Sequence, residues 1–320
     1  MMSPQFTIAV PLYNGVGTIA ETLDSIFSQQ FEDFEVIVLD DGSVDGSIEI
    51  VRKIRDDRLR LEQFAHGGIG VSFNRCIQHA RGRYLKILPQ DDRLEPDCLS
   101  EMQALLEMSD RPALAFSRRD VLHDPTDPWS LRFMKMHAQP DAPLQPLEAV
   151  NDGPQLLNRW AASGMLTQNL IGEPAAVVFP VKLARSIGGF STALHQNLDF
   201  LFWIRMAARG DVCFSDRKLC SFRLHASGTS HQNYLTRKSG ERGREKFLVL
   251  QELARDPEVA TVLPQIATLL ERRRNALCGL PWKKHICFWK SYWKMSDLDE
   301  LIRSLPAAPP PPLHEELLGG

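Results

Sequence analysis

The chain reads as an α/β protein built on a mostly parallel sheet, and three observations carry that reading. Short apolar runs alternate with helically spaced segments from Phe6 to Arg118. Two of the runs end abruptly in paired acids, Asp40-Asp41 and Asp91-Asp92, about one strand–helix–strand unit apart. Glycine and small hydroxyl residues follow the first pair, in Gly42-Ser43-Val44-Asp45-Gly46-Ser47. A buried parallel strand delivers polar groups in this way to its carboxyl-end rim, where open α/β sheets bind ligands.

The elements follow in order. Phe6–Val10 is a short strand that Pro11 is expected to stop. Residues 17–30 carry Ile19, Leu23, Ile26 and Phe27 on one helical face. Glu35–Leu39 is the second strand, Ser47–Arg55 a helix with Ile48, Val51 and Ile54 inward, and Leu59–Phe64 a third strand. A loop at Gly67-Gly68-Ile69-Gly70 leads into a helix over Val71–Ala80, which Gly82 closes before a strand at Tyr84–Leu88. Pro96–Met108 is helical and Ala113–Arg118 a strand. Residues 123–150, rich in Pro, Asp and His, read as a long loop with short helices. Residues 151–166 are helical, Ala175–Phe179 strand-like, and Phe200–Arg209 an amphipathic helix. From about residue 231 the chain turns to charged helical stretches, and Pro306–Pro312 reads as an extended tail. This divides the chain into a body over 1–230, a helical extension over 231–304 and a Pro-rich tail over 305–320.

The bulk composition excludes several classes. With 320 residues, 43% hydrophobic and 24% charged, the chain is an ordinary globular protein. A net charge of -3 does not suit a nucleic-acid partner. Six cysteines lie scattered without a CxxC pair, which reads as reduced thiols in the cytoplasm. No signal peptide precedes the first strand, and no apolar run reaches the ~18–20 residues that span a bilayer.

The paired acids carry the chemistry. Asp40 and Asp41 can accept hydrogen bonds from a base N–H and ribose hydroxyls, which suggests a nucleoside. A plainer reading is a turn with helix caps, and it accounts for Asp45 and Ser47 better than for the pair. Asp91 and Asp92 suit a hard divalent cation, which prefers oxygen and leaves positions open for phosphate. Their plainer reading is a cap for the Pro96 helix, which already has Glu95 and Asp97. Gly15-Val16-Gly17-Thr18-Ile19-Ala20 matches a dinucleotide fingerprint and makes an NAD(P)-dependent dehydrogenase a competing expectation, although Pro11–Asn14 intervene between strand and glycines.

An ordered series of motifs identifies a family. Pro11-Leu-Tyr13-Asn14, Asp40-Asp41-Gly42-Ser43-x-Asp45-Gly46-Ser47, Gly68-x-Gly70-x-Ser72-x-Asn74-Arg75 and Gly82-x-Tyr84 through Asp91-Asp92 are followed by Asn169-Leu-Ile-Gly172-Glu-Pro174, Gly188-Gly189-Phe190, Asp199 through Gly210 and Phe222-Arg223-Leu-His225. Over residues 5–230 the chain resembles the family 2 glycosyltransferases. The resemblance implies a GT-A fold (Rossmann-like, mostly parallel, flanked by helices), an inverting reaction, a nucleotide-diphosphate sugar donor, a saccharide or lipid-linked acceptor, and Mn²⁺ or Mg²⁺. By position it places Pro11, Tyr13, Asp40, Asp41 and Asp91 at the donor nucleotide. It places Asp91, Asp92 and His225 at the metal, and Asp199 as general base. It also implies cell-surface glycan synthesis at the cytoplasmic face of the membrane.

Two departures stand out. The family's acidic motif is often Asp-x-Asp-Asp, but Pro89-Gln90 precede Asp91-Asp92 here. The base is often preceded by Glu, where this chain has Leu198. The missing carboxylate keeps open a non-catalytic, nucleotide-sugar-binding GT-A module. Trp160, Phe179 and Trp203 are candidates for stacking on sugars, with core packing as the alternative for each. The basic, aromatic segment 272–295 suits either an anionic membrane surface or packing on the body.

Overall fold

The computed structural model describes residues 3–278, apart from 167, 226–227, 229–230 and 232–238. The Pro-rich tail and most of the 272–295 segment therefore lie outside the described residues.

The N-terminal half is wound as the alternation demands. Strands β1 (Phe6–Leu12), β2 (Phe34–Asp40), β3 (Leu59–Gln63) and β4 (Tyr84–Ile87) pair in parallel in the order β3-β2-β1-β4. Helices α1 (Ile19–Phe27), α2 (Ser47–Lys53) and α3 (Ile69–His79) connect them. β2 is buried at all seven positions, which is why it reads as one apolar run. α1 buries Ile19, Thr22, Leu23 and Ile26, the i, i+3, i+4, i+7 stripe of a helix lying on a core.

Pro11 does not stop β1. It pairs with Leu39, and β1 runs on to Leu12. Ala9 bonds toward β4 and Leu12 toward β2, so the missing N–H of Pro11 faces the β4 side. The β4 ladder has already ended there, at Ala9–Ile87. Gly82 likewise does more than close a helix. A Cβ on it would lie 2.5 Å from the Thr7 nitrogen, so glycine lets the chain cross β1.

The second half is mixed. β8 (Val177–Pro180) runs antiparallel to β4 and to β6 (Pro112–Leu122), and β6 pairs in parallel with β9 (Asp211–Arg223). Two short strands, β5 (Arg93–Leu94) and β7 (Val150–Asn151), complete a nine-stranded sheet by pairing antiparallel with β9. The expectation of a parallel-dominated α/β sheet holds for the half that carries the paired acids. β9 is absent from the sequence reading because its middle, Ser215–Lys218, is charged and outward, which breaks the apolar run.

Around this half lie α4 (Cys98–Glu107), α5 (Pro128–His137), α6 (Gly153–Ala162), α7 (Val181–Ser186) and α8 (Leu198–Ala207). α8 is not the two-faced helix expected. Eight of its ten residues are buried, because it runs through the middle of the core with only Asp199 and Arg205 partly exposed. Trp160 and Trp203 are fully buried, as is Phe179, and the Trp160 indole N–H donates to the Met165 carbonyl at 3.2 Å. Trp160 is therefore a core residue, not a sugar platform. α6 meets α8 through Gly153, where a Cβ would lie 2.1 Å from the carbonyl oxygens of Ala207 and Gly210. Gly153→Ala is expected to destabilise the fold by about 3 kcal/mol or more, an overpacking that no side-chain rotation relieves. Denaturant unfolding measures it.

Three further helices, α9 (Ser239–Arg255), α10 (Pro257–Val262) and α11 (Gln265–Cys278), pack on the same core through Leu248, Val249, Leu253, Val259, Leu263 and Ile266. Asp256 caps α10 and receives both Arg205 and Arg209. Glu245 accepts the backbone N–H groups of His195 and Gln196, just ahead of Asp199. The extension thus buttresses the α8 region. Cys76, Cys98, Cys213 and Cys220 are buried free thiols, and no described helix is long and apolar enough to cross a membrane.

Candidate active site

The ends of β1, β2 and β4 form one rim. At β2, both Asp40 and Asp41 are buried and already engaged. Asp40 turns back on its own loop and accepts the N–H groups of Gly42 and Ser43, at 3.3 and 3.2 Å. The Asp41 carboxylate accepts three donors, the Gly67 N–H at 2.9 Å, the Gly68 N–H at 3.1 Å and Arg75 at 2.6 Å, and His66 Nδ1 lies 2.9 Å from it and 3.2 Å from the Asp41 carbonyl. The sequence suggested two carboxylates open to a ligand. The structure has them satisfying backbone N–H groups that no ladder reaches, the usual requirement where a buried strand ends. Asp41 in effect builds a wall. It holds His66 where its ring meets the half-exposed Tyr13 ring, with centroids 4.4 Å apart. It also holds Arg75, whose guanidinium lies 4.5 Å from the centre of the Phe64 ring.

Gly15 and Gly17 do not form a phosphate loop. A Cβ at Gly15 would lie 2.7 Å from the Gln90 side chain, and Gly17 faces open space. Glycine at 15 makes room for Gln90, which grips the Tyr13 peptide from both sides. Its oxygen accepts the Tyr13 N–H at 2.6 Å and its nitrogen donates to the Tyr13 carbonyl at 3.0 Å. Neighbouring backbone groups are stitched to the next loop, Asn14 N–H to Ser43 Oγ at 2.9 Å and Val16 N–H to Asp45 at 2.8 Å.

The second acidic pair divides. Asp91 lies 2.7 Å from His225 Nε2. Asp92 is fully buried; one oxygen accepts the Arg223 N–H at 2.9 Å and the other has no partner. Burial, with Asp91 adjoining, pushes the Asp92 carboxyl well above the ordinary carboxylate range. Neither acid caps a helix, since α4 begins at Cys98. β9 carries the partners in: Arg223 Nε donates to the Asp91 carbonyl at 2.9 Å, and His225 follows two residues on.

Asp199 is the second residue of α8 and is only partly exposed. One oxygen accepts the Phe200 N–H at 2.7 Å and the other an Asn169 N–H at 3.0 Å. Burial, against those hydrogen bonds, pushes its pKa up to about 7. Glu173 is a residue that the residue-by-residue reading passed over, although it sits inside the Gly172-Glu-Pro174 motif. It pairs with the buried Arg119, whose Nη2 donates to it at 2.9 Å, and its charge raises the proton affinity of both Asp199 and Asp92. Only its neighbourhood in space reveals this, because Arg119 lies on β6.

For a divalent cation, Asp91 and His225 would offer an oxygen and a nitrogen ligand side by side, a mixed set that suits Mn²⁺ better than Mg²⁺, which prefers oxygen throughout. Among the described residues no group of three His, Cys, Asp or Glu is gathered tightly enough to enclose a metal alone. Further oxygens would have to come from water and the ligand.

This mixed sheet, parallel in the half that carries the paired acids and flanked by helices, is the architecture of a glycosyltransferase of GT-A type. Solved structures with the same fold include Staphylococcus aureus TarS 1-349 in complex with UDP-GlcNAc, at TM-score 0.66 and 19% identity over 94% of this chain and 82% of that one. Another is the mannosyltransferase PcManGT from Pyrobaculum calidifontis in complex with GDP-Man and Mn²⁺, at TM-score 0.52 and 17% identity over 91% and 80%. The model of glycosyl transferase family 2 matches residues 7–200. A Mycobacterium tuberculosis protein described as uncharacterized is 32% identical over 77% of this chain and 75% of its own length. An uncharacterized glycosyltransferase of Rickettsia felis is 26% identical over 70% of this chain but only 35% of its own length. The chain belongs to the family 2 glycosyltransferases. Nothing in these comparisons favours a dehydrogenase.

Proposed function

We propose that the protein transfers a sugar from a nucleoside diphosphate sugar to an acceptor hydroxyl with inversion at the anomeric carbon. The observation that carries this is Asp199: a single carboxylate at the start of α8, partly open to solvent, held by Asn169 and with a proton affinity raised to about 7. A group poised near neutrality takes a proton effectively at neutral pH, whereas a binding module has no use for one.

The roles divide as follows. Tyr13, Pro11 and His66 line the nucleoside end, with Asp40 and Asp41 holding the loops that shape it. Asp91 and His225 would hold a divalent cation, which would supply positive charge against the departing diphosphate. Asp92 sits behind them and fixes Arg223. Asp199 accepts the acceptor hydroxyl's proton as that oxygen attacks from the opposite face of the sugar. One base and one displacement give inversion. The anomeric carbon passes through an oxocarbenium-like state, as in glycoside hydrolysis.

The acceptor side is read as the aromatic surface of α5. Trp129 and Phe133 are half-buried there, Phe133 packs 5.9 Å from Phe222, and the His137 carbonyl accepts from Arg119. This joins α5 to the strand end beside Asp91–Asp92 and to the Glu173 pair. Trp129 already carries His231 stacked on one face, with centroids 4.4 Å apart, so a saccharide would meet the remaining surface of this aromatic cluster. That region, 123–150, is where the sequence read as a long loop with short helices, and α5 is one of them.

The test is a thermal-shift panel on the full chain with UDP, UDP-GlcNAc, GDP, GDP-mannose and NAD, each with and without Mn²⁺, followed by diphosphate release. Mn²⁺-dependent stabilisation by a nucleotide sugar, with turnover, is expected. Stabilisation with no turnover on any acceptor would support a binding module, and a response to NAD alone would overturn the donor assignment.

A further inference from the structure

Asp199 is held by two donors, and only one of them comes from its own helix. The Phe200 N–H is a helix N-terminal donor that any residue would supply. The other is the side-chain amide of Asn169, 30 residues earlier in the chain. Asn169 has every hydrogen-bonding position filled. One N–H goes to Asp199 at 3.0 Å and the other to the Gly172 carbonyl at 2.8 Å. Its oxygen accepts the N–H groups of Ile171 at 3.2 Å and Gly172 at 3.0 Å. The amide can sit only one way round. Flipped, its oxygen would face two acceptors and its NH₂ two donors.

The loop that carries it is locked as well. Gly172 adopts φ 113°, a conformation open to glycine, and its carbonyl also accepts the Trp203 indole N–H at 3.1 Å. Trp203 is fully buried on the same helix as Asp199. Asn169, Gly172, Trp203 and Asp199 therefore form a closed circuit from the 169–172 loop to α8 and back.

We propose that Asn169 is the positioning residue of the base, fixing the plane of the Asp199 carboxylate and supporting its ionised form. With one donor on each oxygen, rotation of the carboxylate about its Cβ–Cγ bond is arrested. The remaining lone pairs then keep a constant direction for the incoming hydroxyl, and orientation of this kind governs the rate of a proton transfer. The choice of residue follows. Aspartate would present no N–H, and alanine would leave the carboxylate oxygen with no donor. The charge of Glu173, paired with Arg119, also reaches Asp199 and acts in the opposite sense to the Asn169 amide. The inference rests on Asp199 being the base.

The experiment compares Asn169→Ala and Asn169→Asp with the unsubstituted chain and with Asp199→Asn. Diphosphate release from UDP-GlcNAc or GDP-mannose with Mn²⁺ is followed across pH 5–9. In parallel, carboxyl ¹³C NMR titrates aspartate-labelled protein, and the Asp199 signal is the one missing from Asp199→Asn. The NMR arm needs no turnover. For Asn169→Ala, turnover is expected to fall ~10–100-fold with donor KM within about twofold, and the Asp199 titration to move to higher pH, because a hydrogen bond favouring the ionised form is gone. Asn169→Asp fills the same space and is expected to move the titration further. Titrations and acid limbs that superimpose on the unsubstituted chain in both variants overturn the positioning role. If Asp199→Asn itself retains turnover, the base assignment fails instead, and the two failures are told apart by that variant alone.

Discussion

Replacing Asp199 by asparagine is expected to lower sugar transfer by ~10²–10⁴-fold while leaving donor binding within about twofold, since the group acts on the proton rather than on the nucleotide. Calorimetric titration of the donor, paired with product quantification by mass, measures both halves. Near-normal turnover would remove Asp199 from the mechanism.

The pH dependence follows from the same carboxylate. Its pKa, 3.8 in its ordinary state, is pushed up to about 7 in the fold, so the base is protonated and idle in acid and becomes active as pH rises through about 7. The stability consequence has the opposite sign. Between about pH 4 and pH 7 the folded chain holds a proton that the unfolded chain has already released, so stability falls as pH rises across that window. Asp199→Asn is expected to flatten that part of the stability profile while abolishing the matching rise in activity. Few other roles for one residue would link the two curves.

The second large effect is at the metal pair. Asp91→Asn and His225→Ala are each expected to cost ~10³-fold in turnover, the loss of several kcal/mol of stabilisation on the leaving diphosphate. The Mn²⁺-dependent part of donor-induced thermal stabilisation should vanish with it. Asp92→Asn separates ligand from scaffold. Its buried oxygen bonds Arg223, and an amide oxygen can keep that bond. Metal-dependent stabilisation is expected to survive in Asp92→Asn and to fail in the other two. The reverse pattern would move the metal from Asp91 to Asp92.

Much of this was legible in the chain itself. The parallel half could be read because its strands are buried on both faces, and both rim acids lie where an apolar run stops. Asp199 was legible only through the ordered motifs that carry the family resemblance, not from its own surroundings in the chain. What escaped has physical reasons. β9 was hidden because its charged middle lies outward, and with it went the route by which Arg223 and His225 reach Asp91 and Asp92. The state of Asp40 and Asp41 was hidden because the donors they accept come from residues 42–75, and spacing does not reveal which loop folds back. Glu173 and Asn169 were quoted within a motif, yet their roles depend on Arg119 and Asp199, 54 and 30 residues away. Trp160 looked available to a sugar only because burial cannot be read from one residue.

Gln90 stands one position before the two acids, and its side chain is clasped to the Tyr13 peptide across the rim. The loop that would meet the nucleoside and the loop that would meet the phosphates are thus a single mechanical part before any donor arrives. An enzyme with two independent lips must spend part of its binding energy on ordering them; here that entropy has been surrendered during folding. The family's acidic motif is departed from at Pro89, so the clasp made by Gln90 uses the motif's variable position and takes no carboxylate away from the phosphate side.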